Sequence, residues 1–216
     1  EKKLVDPYDT AVRRLDAEIA RLVTGLSERN LLVVVVSDHG EGLRLPKHHG
    51  SGHGNFLFFS TISAPLLIHH PSLPAGHRVS GLSMNIDVHP TILGLLGAEP
   101  AHPVDGSDLT AAVRGETGTG HERVFSETFY MRTKKSAVID AEHYLIRNNR
   151  SERDVLYARD DVDADEALKM PRIKRRLGEV LDAWEDERAA SVTRPATEVE
   201  LSEETRQQLE AMGYME

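Results

Sequence analysis

An aspartate and a histidine stand side by side after an apolar run, in the sequence Ser37-Asp38-His39-Gly40-Glu41. A carboxylate oxygen and an imidazole nitrogen are both ligands that divalent cations accept, and a glycine allows the backbone to turn tightly beside them. The alternative is structural: Asp38 caps the next turn and His39 bonds a backbone carbonyl. The position at a strand end, next to further histidines, favours the metal interpretation. The sequence therefore predicts Asp38 and His39 as metal ligands.

A loop rich in histidine and glycine follows this motif. Residues 47–54 include Lys47, His48, His49 and His53, interleaved with three glycines. Cationic donors on a backbone that approaches a ligand closely suit an anion such as sulfate or phosphate. The alternative is a solvated, flexible loop without a binding role. Because Asp38 and His39 lie nearby, we predict that at least one of these histidines belongs to a site.

Other histidines and acids in the chain have simpler interpretations. Asp87 is predicted to cap a helix that begins near Pro90, and His89 is a weaker candidate for a second metal site. His69 and His70 end a strand, and we interpret them as edge or surface residues.

Composition excludes several classes of protein. The 216 residues include no Cys, which removes disulfides, thiolate zinc sites and a cysteine nucleophile from this chain. The formal charge of −9 lacks the basic surface that nucleic acids or anionic lipids require. The longest apolar run, residues 31–36, is far shorter than the roughly 20 residues of a membrane span. A soluble protein is expected, in the cytoplasm or the periplasm.

The elements that must position these residues follow from hydrophobic periodicity. Apolar residues spaced by three and four, from Val12 to Leu26, predict an amphipathic helix that begins at Asp6 and Pro7. The unbroken run 31–36 predicts a strand buried on both faces, and residues 65–69 predict a second strand. A helix followed by such a strand indicates a parallel sheet covered by helices, whose strand ends carry the chemistry.

The second half of the chain differs in texture. Four short strands are predicted near residues 124–127, 136–139, 143–146 and 155–157, with a hairpin turn at 140–142. Helices are predicted from residue 168 to 188 and from residue 202 to 213. The fold class is therefore α/β, with a core over residues 1–115 and a small antiparallel sheet plus carboxyl-terminal helices over residues 121–216.

Taken in order, these segments resemble the carboxyl-terminal half of a sulfatase of the alkaline phosphatase superfamily. The resemblance covers nearly the whole chain, and its parts are individually modest. They are the helix with Tyr8-Asp9 and Leu15-Asp16, Ser37-Asp38-His39-Gly40-Glu41, His53-Gly54 before Pro65-Leu66-Leu67-Ile68, Asp87-Val88-His89-Pro90-Thr91, Asp105-Gly106-Ser107-Asp108-Leu109, and the ending from Leu201 to Tyr214.

The resemblance implies a metal-dependent hydrolase of sulfate esters. It implies a divalent cation, calcium first and manganese or zinc as alternatives, with Asp38 and His39 among its ligands. It further implies that His53 contacts the anion or protonates the leaving oxygen, and Lys47, His48 and His49 are weaker candidates for anion binding. The substrate would be a small-molecule sulfate or phosphate ester.

The departures from the family pattern are equally informative. The Cys/Ser-x-Pro/Ala-x-Arg signature of the nucleophile, often a formylglycine, is absent from these residues, as are the first-strand Asp or Asn ligands. Phe59-Ser60 and Ser63-Ala64 replace the acidic and Arg-Val residues usual before the Pro-Leu strand. We therefore expect a fragment that is inactive alone, completed by the amino-terminal half of the fold or by a homo-oligomer partner.

Two other functions stay open at this point. A phosphodiesterase or phosphonate monoester hydrolase of the same superfamily would use the same Asp-His pair, because that pair also binds transition metals. A module that binds a metal or an anion without catalysis is the alternative from another class.

Overall fold

We describe a computed structural model of the chain. It describes residues 2–26, 29–43, 52–130, 133–149, 151, 153–164, 166–191 and 202–211. The chain divides into two compact units, residues 1–181 and residues 182–216. The predicted division between 1–115 and 121–216 stays a prediction.

Helices and strands alternate in the first unit before a run of strands. The helices are α1 (Lys2–Gly25), α2 (Phe59–Ile62), α3 (Val88–Leu95), α4 (Thr110–Val113), α5 (Pro171–Ser191) and α6 (Glu203–Ala211). The strands are β1 (Val33–Val36), β2 (Leu66–His69), β3 (Val124–Tyr130), β4 (Thr133–Ile139), β5 (His143–Asn148) and β6 (Arg153–Ala158). This mixture confirms the α/β class. None of the helices in the described ranges is long and apolar enough to cross a membrane.

The pairing of β1 and β2 departs from the parallel sense that the sequence predicts for most of the sheet. They are antiparallel, with Val33 opposite His69 and Val36 opposite Leu66. The reason lies in the connection between them: Ser37 N donates to Pro65 O (3.3 Å), so the chain returns to the strand end that it left. A parallel pair needs a crossover to the other end of the strand, and this connection makes none.

The prediction that β1 is buried on both faces is also wrong for the described residues. Most of the strand is half-buried, and Val36 is 41% exposed while Leu67 on β2 is 60% exposed. Within the part of the chain that the structure describes, β2 is the only strand beside β1. Strand β1 is therefore apolar, as the sequence indicates. The side of β1 away from β2 has no neighbouring strand among the described residues and is left open.

The predicted antiparallel sheet is confirmed. Strands β3, β4, β5 and β6 lie in chain order, each antiparallel to the next. The turn between β4 and β5 is held by the Asp140 carboxylate, which accepts hydrogen bonds from the backbone N–H groups of Glu142 (2.9 Å) and His143 (2.7 Å). Aspartate favours such turns because its short side chain reaches the backbone two and three residues ahead.

Both faces of this sheet are covered. On one face lies α5, whose Leu177 and Leu181 are fully buried, and whose Gly178 approaches the Asp154 carboxylate of β6. On the other face a core cluster joins the sheet to Leu57 and Phe58, which precede α2. The antiparallel sheet thus anchors the segment that leads from the histidine-rich loop to α2.

Asp87 is structural, as predicted, but it does not cap α3. Its backbone is already helical (φ −74°, ψ −18°), whereas a capping residue needs an extended backbone for its side chain to fold back. The buried carboxylate instead accepts from Met84 N (2.8 Å) and Ser107 N (2.8 Å) and pairs with His121 Nε2 (2.9 Å). It ties α3 to two later segments.

Helix α1 begins earlier than predicted, and its apolar stripe is exposed. It starts at Lys2, so that Pro7 lies inside the helix rather than at its first turn. A proline inside a helix removes one N–H donor and crowds the carbonyl four residues before it, yet α1 continues through Pro7. Leu15 and Leu22 on the stripe are 61% and 63% exposed.

The second unit contains the predicted final helix, α6. Ser202 precedes α6, and its hydroxyl accepts a hydrogen bond from Thr205 N (3.2 Å), as a capping serine does. Trp184 of α5 lies under the Arg188 guanidinium at 5.1 Å. The predicted end at Gly213 lies outside the described residues.

Candidate active site

The turn after β1 is held in place by hydrogen bonds within the turn and by hydrogen bonds from Asn85. Within it, Ser37 Oγ donates to His39 O (2.8 Å) and His39 N donates to the Asp38 carboxylate (3.0 Å). From outside, the Asn85 amide donates to the carbonyls of Ser37 (3.1 Å) and Asp38 (2.9 Å). The Asp38 and His39 backbone is therefore fixed before any ligand binds.

Gly40 brings this turn against α2. Its N–H donates to Thr61 O (2.9 Å), and a Cβ at this position would lie 2.2 Å from Ser60 O. Such a distance is far inside van der Waals contact, and the obstacle is backbone. The glycine is thus required because two backbones meet here, which the sequence alone did not reveal.

His53 returns to the Asp38 and His39 turn from the loop that follows. Gly52 N donates to Gly42 O (3.0 Å), which closes the loop onto the segment after the motif. The His53 ring stacks on the His39 ring, with centroids 3.8 Å apart and planes 26° from parallel. His53 Nδ1 lies 3.0 Å from Glu41 Oε2, so a carboxylate orients this imidazole.

Two carboxylates and two imidazoles therefore meet at the carboxyl end of β1. Asp38 Oδ1 lies 3.6 Å from His39 Nε2 at one side, and Glu41 pairs with His53 at the other. The Asp38 side chain is 76% exposed, whereas that of Glu41 is 23% exposed. The Asp38 carboxylate is thus accessible to a ligand from solvent while its Oδ1 accepts from His39 N, and Glu41 orients His53.

The donor chemistry at this strand end suits part of a divalent-metal site. Asp38 offers a carboxylate oxygen and His39 an imidazole nitrogen, which calcium, manganese and zinc accept in different proportions. Across the described ranges, no group of three or more His, Asp or Glu side chains is arranged to hold one ion. The pair therefore fits a metal as a partial ligand set that needs further donors.

The structure brings together some of the predicted site residues and not others. Asp38, His39 and His53 lie in one cluster. Lys47, His48 and His49 lie outside the described residues. His69 and His89 are exposed, and His70 bonds the nearby Ser72 hydroxyl (2.7 Å), in agreement with a surface role for His69 and His70.

Sequence reasoning missed the residues that orient this cluster. Glu41 belongs to the motif at residues 37–41, and its separation of twelve residues from His53 leaves no local signal of their contact. Asn85 lies 47 residues from Asp38, beside the Asp87 motif. Asn85 lies two residues before Asp87, in a segment that also resembles the sulfatase family. This position is the only sequence signal that points to Asn85.

Comparison with known proteins identifies the segment that carries this site. The sulfatase family model matches residues 1–98. We call these matched residues the sulfatase-family segment. The sulfatase-family segment contains the clustered side chains of Asp38, His39 and His53. It also contains Glu41 and Asn85, which orient them.

Two curated relatives resemble the chain over different lengths. The N-acetylglucosamine-6-O-sulfatase of Bacteroides thetaiotaomicron is 31% identical over 117 residues, which are 52% of this chain and 20% of that protein. The low-salt glycan biosynthesis sulfotransferase Agl7 of Haloferax volcanii is 28% identical over 223 residues, which are 88% of this chain and 54% of that protein. The chain thus spans about a fifth and about half of these relatives.

Solved structures show the same fold. A phosphonate monoester hydrolase from Silicibacter pomeroyi superposes with a TM-score of 0.64 at 23% identity, over 88% of this chain and 42% of that one. A sulfatase-like structure from Bacteroides thetaiotaomicron gives a TM-score of 0.63 at 22% identity. The chain therefore has the fold of the corresponding part of these larger proteins, and the predicted alkaline-phosphatase-like architecture is confirmed.

Proposed function

We propose that this chain supplies the carboxyl-terminal part of a sulfatase active site, which acts on small-molecule sulfate esters. The observation that carries the proposal is the meeting of Asp38, His39 and His53 at the end of β1, inside the sulfatase-family segment. In this proposal residues 1–115 carry the site, and the antiparallel sheet within residues 121–216 supports it.

Asp38 and His39 are assigned to metal binding. The Asp38 carboxylate is exposed, and Asn85 holds the backbone carbonyls on either side of it, so the ligand oxygen is available and its support is rigid. Rigid support matters because partners behind a ligand tune metal affinity by about 10- to 100-fold. A divalent cation, calcium first and manganese or zinc as alternatives, would stabilise negative charge on the ester oxygens when bound.

His53 is assigned to the anion and the leaving group. Glu41 pairs with Nδ1, so Nε2 is the ring nitrogen that would face the ester. From Nε2 the imidazolium donates a hydrogen bond to a sulfate oxygen or passes its proton to the ester oxygen as the bond to sulfur breaks. Lys47, His48 and His49 are proposed as further cationic contacts to the anion.

We also propose that residues outside 1–216 complete the site, and that this chain is inactive alone. Its residues include no Cys, and the described ligand pair needs further donors. The exposed leucines of α1 and the open side of the β1–β2 pair form apolar surface that a further part of the fold would cover. This chain spans 20% and 54% of two larger relatives. This partial coverage supports the rest of the same fold as the structure that covers the apolar surface.

Hydrolysis assays with the complete gene product test this function. We expect it to hydrolyse p-nitrophenyl sulfate faster than a p-nitrophenyl phosphate diester, and the 216-residue chain to hydrolyse neither. A preference for the diester would favour the phosphodiesterase or phosphonate monoester hydrolase alternative. Transfer of the sulfate group to an acceptor alcohol, without hydrolysis by water, would indicate a sulfotransferase. One relative carries that activity in its name.

Histidine variants of the gene product separate catalysis from mere binding. His53→Gln should lower kcat for p-nitrophenyl sulfate by about 10²- to 10⁴-fold, the usual contribution of general acid catalysis. His102→Gln, at an exposed position on a loop, is the matched control and should leave kcat unchanged. Equal rates for both variants would contradict the role given to His53, and turnover by neither variant nor the parent would favour the non-catalytic module.

A further inference from the structure

The antiparallel sheet reaches the His53 loop through two side chains that project from opposite positions on neighbouring strands. Thr128 of β3 and Lys135 of β4 are direct cross-strand partners, so their side chains lie on the same face. Thr128 Oγ1 donates to Gly54 O (2.5 Å). Lys135 Nζ donates to Asn55 O and to Asn55 Oδ1 (2.9 Å). The bonded residues are the two that follow His53.

The Lys135 ammonium is tied to the loop by its surroundings. Burial lowers the pKa of Lys135, because the charged form has lost part of its water. The two Asn55 oxygens replace that water, and the Phe56 ring lies 5.4 Å from the ammonium. If the loop moved away, a partly desolvated cation would lose both acceptors, which is costly.

The loop is therefore held between two groups of contacts. On one side His53 itself stacks on His39 and pairs with Glu41. On the other side Thr128 and Lys135 hold the backbone immediately after it. We propose that Thr128 and Lys135 are positioning residues, which hold His53 in register with His39 from the antiparallel sheet.

This inference deepens the proposed function, on which its catalytic meaning rests, but the geometry is testable without any activity. The side-chain proton signals of His39 and His53 in NMR spectra of the 216-residue chain report the ring stack, since each ring shields the other. His39→Gln and His53→Gln variants assign the signals. The signals of His121, which is buried against Asp87, report whether the fold is intact.

Lys135→Met deletes the ammonium and keeps most of the apolar stem. We expect the His39 and His53 signals to lose their ring shielding while the His121 signals stay in place. Lys135→Arg should restore the shielding, because a guanidinium still donates to Asn55. Lys134→Met is the matched control: it removes the neighbouring ammonium, which pairs with Glu127 (3.4 Å), and should leave both ring signals unchanged.

Unchanged His39 and His53 signals in Lys135→Met would overturn the proposal, as would an equal change in Lys134→Met. If Lys135→Met also moves the His121 signals, the fold has changed and Thr128→Val is the deciding variant, because it removes only the hydroxyl that bonds Gly54 O. Thr128→Val should likewise remove the ring shielding of His39 and His53 and leave the His121 signals in place. Failure of the sulfate ester assays with a normal response of these signals would reject the proposed function and leave the positioning role standing.

Discussion

The β1–β2 region and the antiparallel sheet are built from similar apolar residues, yet they differ in how those residues are covered. In the sheet, Leu145 and Leu156 are buried beneath neighbouring elements. Around β1 and on α1, residues such as Leu15 and Leu67 stay largely exposed. The candidate active site lies in the β1–β2 region, where apolar side chains are exposed. Thr128 and Lys135 of the antiparallel sheet hold the residues that follow His53. The sheet is therefore covered within this chain, in part by Leu57 and Phe58 next to the site, whereas apolar side chains of the site region stay exposed.

The sharpest way to break this comparison is a pair of matched leucine substitutions in the 216-residue chain. Leu145→Ala removes a fully buried side chain and should lower the free energy of unfolding by about 2–5 kcal/mol. Leu15→Ala removes a leucine that is 61% exposed and should change it by less than about 0.5 kcal/mol. Urea denaturation monitored by circular dichroism measures both. Equal losses would show that α1 is covered within this chain.

A substitution at Gly40 tests the contact between the turn after β1 and α2, the helix whose preceding segment packs on the sheet. Gly40→Ala places a methyl group against Ser60 O and should cost about 1–3 kcal/mol, the usual penalty for overpacking. It should also displace His39 from His53, because the turn that carries His39 must move. Gly118→Ala is the control, since a Cβ there meets nothing within 4 Å. Thermal unfolding and the histidine ring signals give the result, and identical behaviour of the two variants would contradict the close approach at Gly40.

The smallest predicted effect concerns a phenol inside the sheet. Burial, followed by the Asp161 carboxylate, raises the pKa of Tyr144 above its ordinary value. The phenol then ionises more readily in the unfolded chain, so stability is full below a pH of about 10 and falls as the pH rises above it. Tyr144→Phe should weaken that alkaline decline. It should also cost about 1 kcal/mol at neutral pH, because the hydroxyl donates to Asp161 O (2.7 Å).

Unfolding free energies between pH 7 and pH 11 measure the Tyr144 effect. Leu145→Ala serves as the comparison, because it destabilises the same sheet without changing an ionisable group and should lower the whole curve in parallel. A Tyr144→Phe curve that also ran parallel to the parent would contradict the raised pKa.

The sequence predicted the elements with clear periodicity. The apolar spacing of α1 and α5, the strand at β1 and the turn at Asp140 were all visible in it, because each depends on residues close together in the chain. Helices α2 and α4 were missed, since each has four residues and thus about one turn of pattern. The antiparallel sense of the β1–β2 pair could not be predicted, because it depends on the path of the connection rather than on either strand.

The candidate site divides in the same way. Asp38, His39 and His53 could be proposed from residue type and their position after a strand. Asn85, Thr128 and Lys135 could not, because they bond residues that are 47, 74 and 80 positions away. A lysine that follows another lysine in a strand has the pattern of a surface residue. Contacts that orient a site from a distant element leave no periodic mark in the sequence.

Metal content of the complete gene product is the most direct test of the central claim that Asp38 and His39 bind a catalytic cation. We predict that the purified parent retains a stoichiometric divalent metal in elemental analysis, and that Asp38→Ala loses it together with about 10²- to 10³-fold of its sulfatase activity. Asp160→Ala, an exposed carboxylate after β6, should keep both. Unchanged metal content and activity in Asp38→Ala would contradict the account.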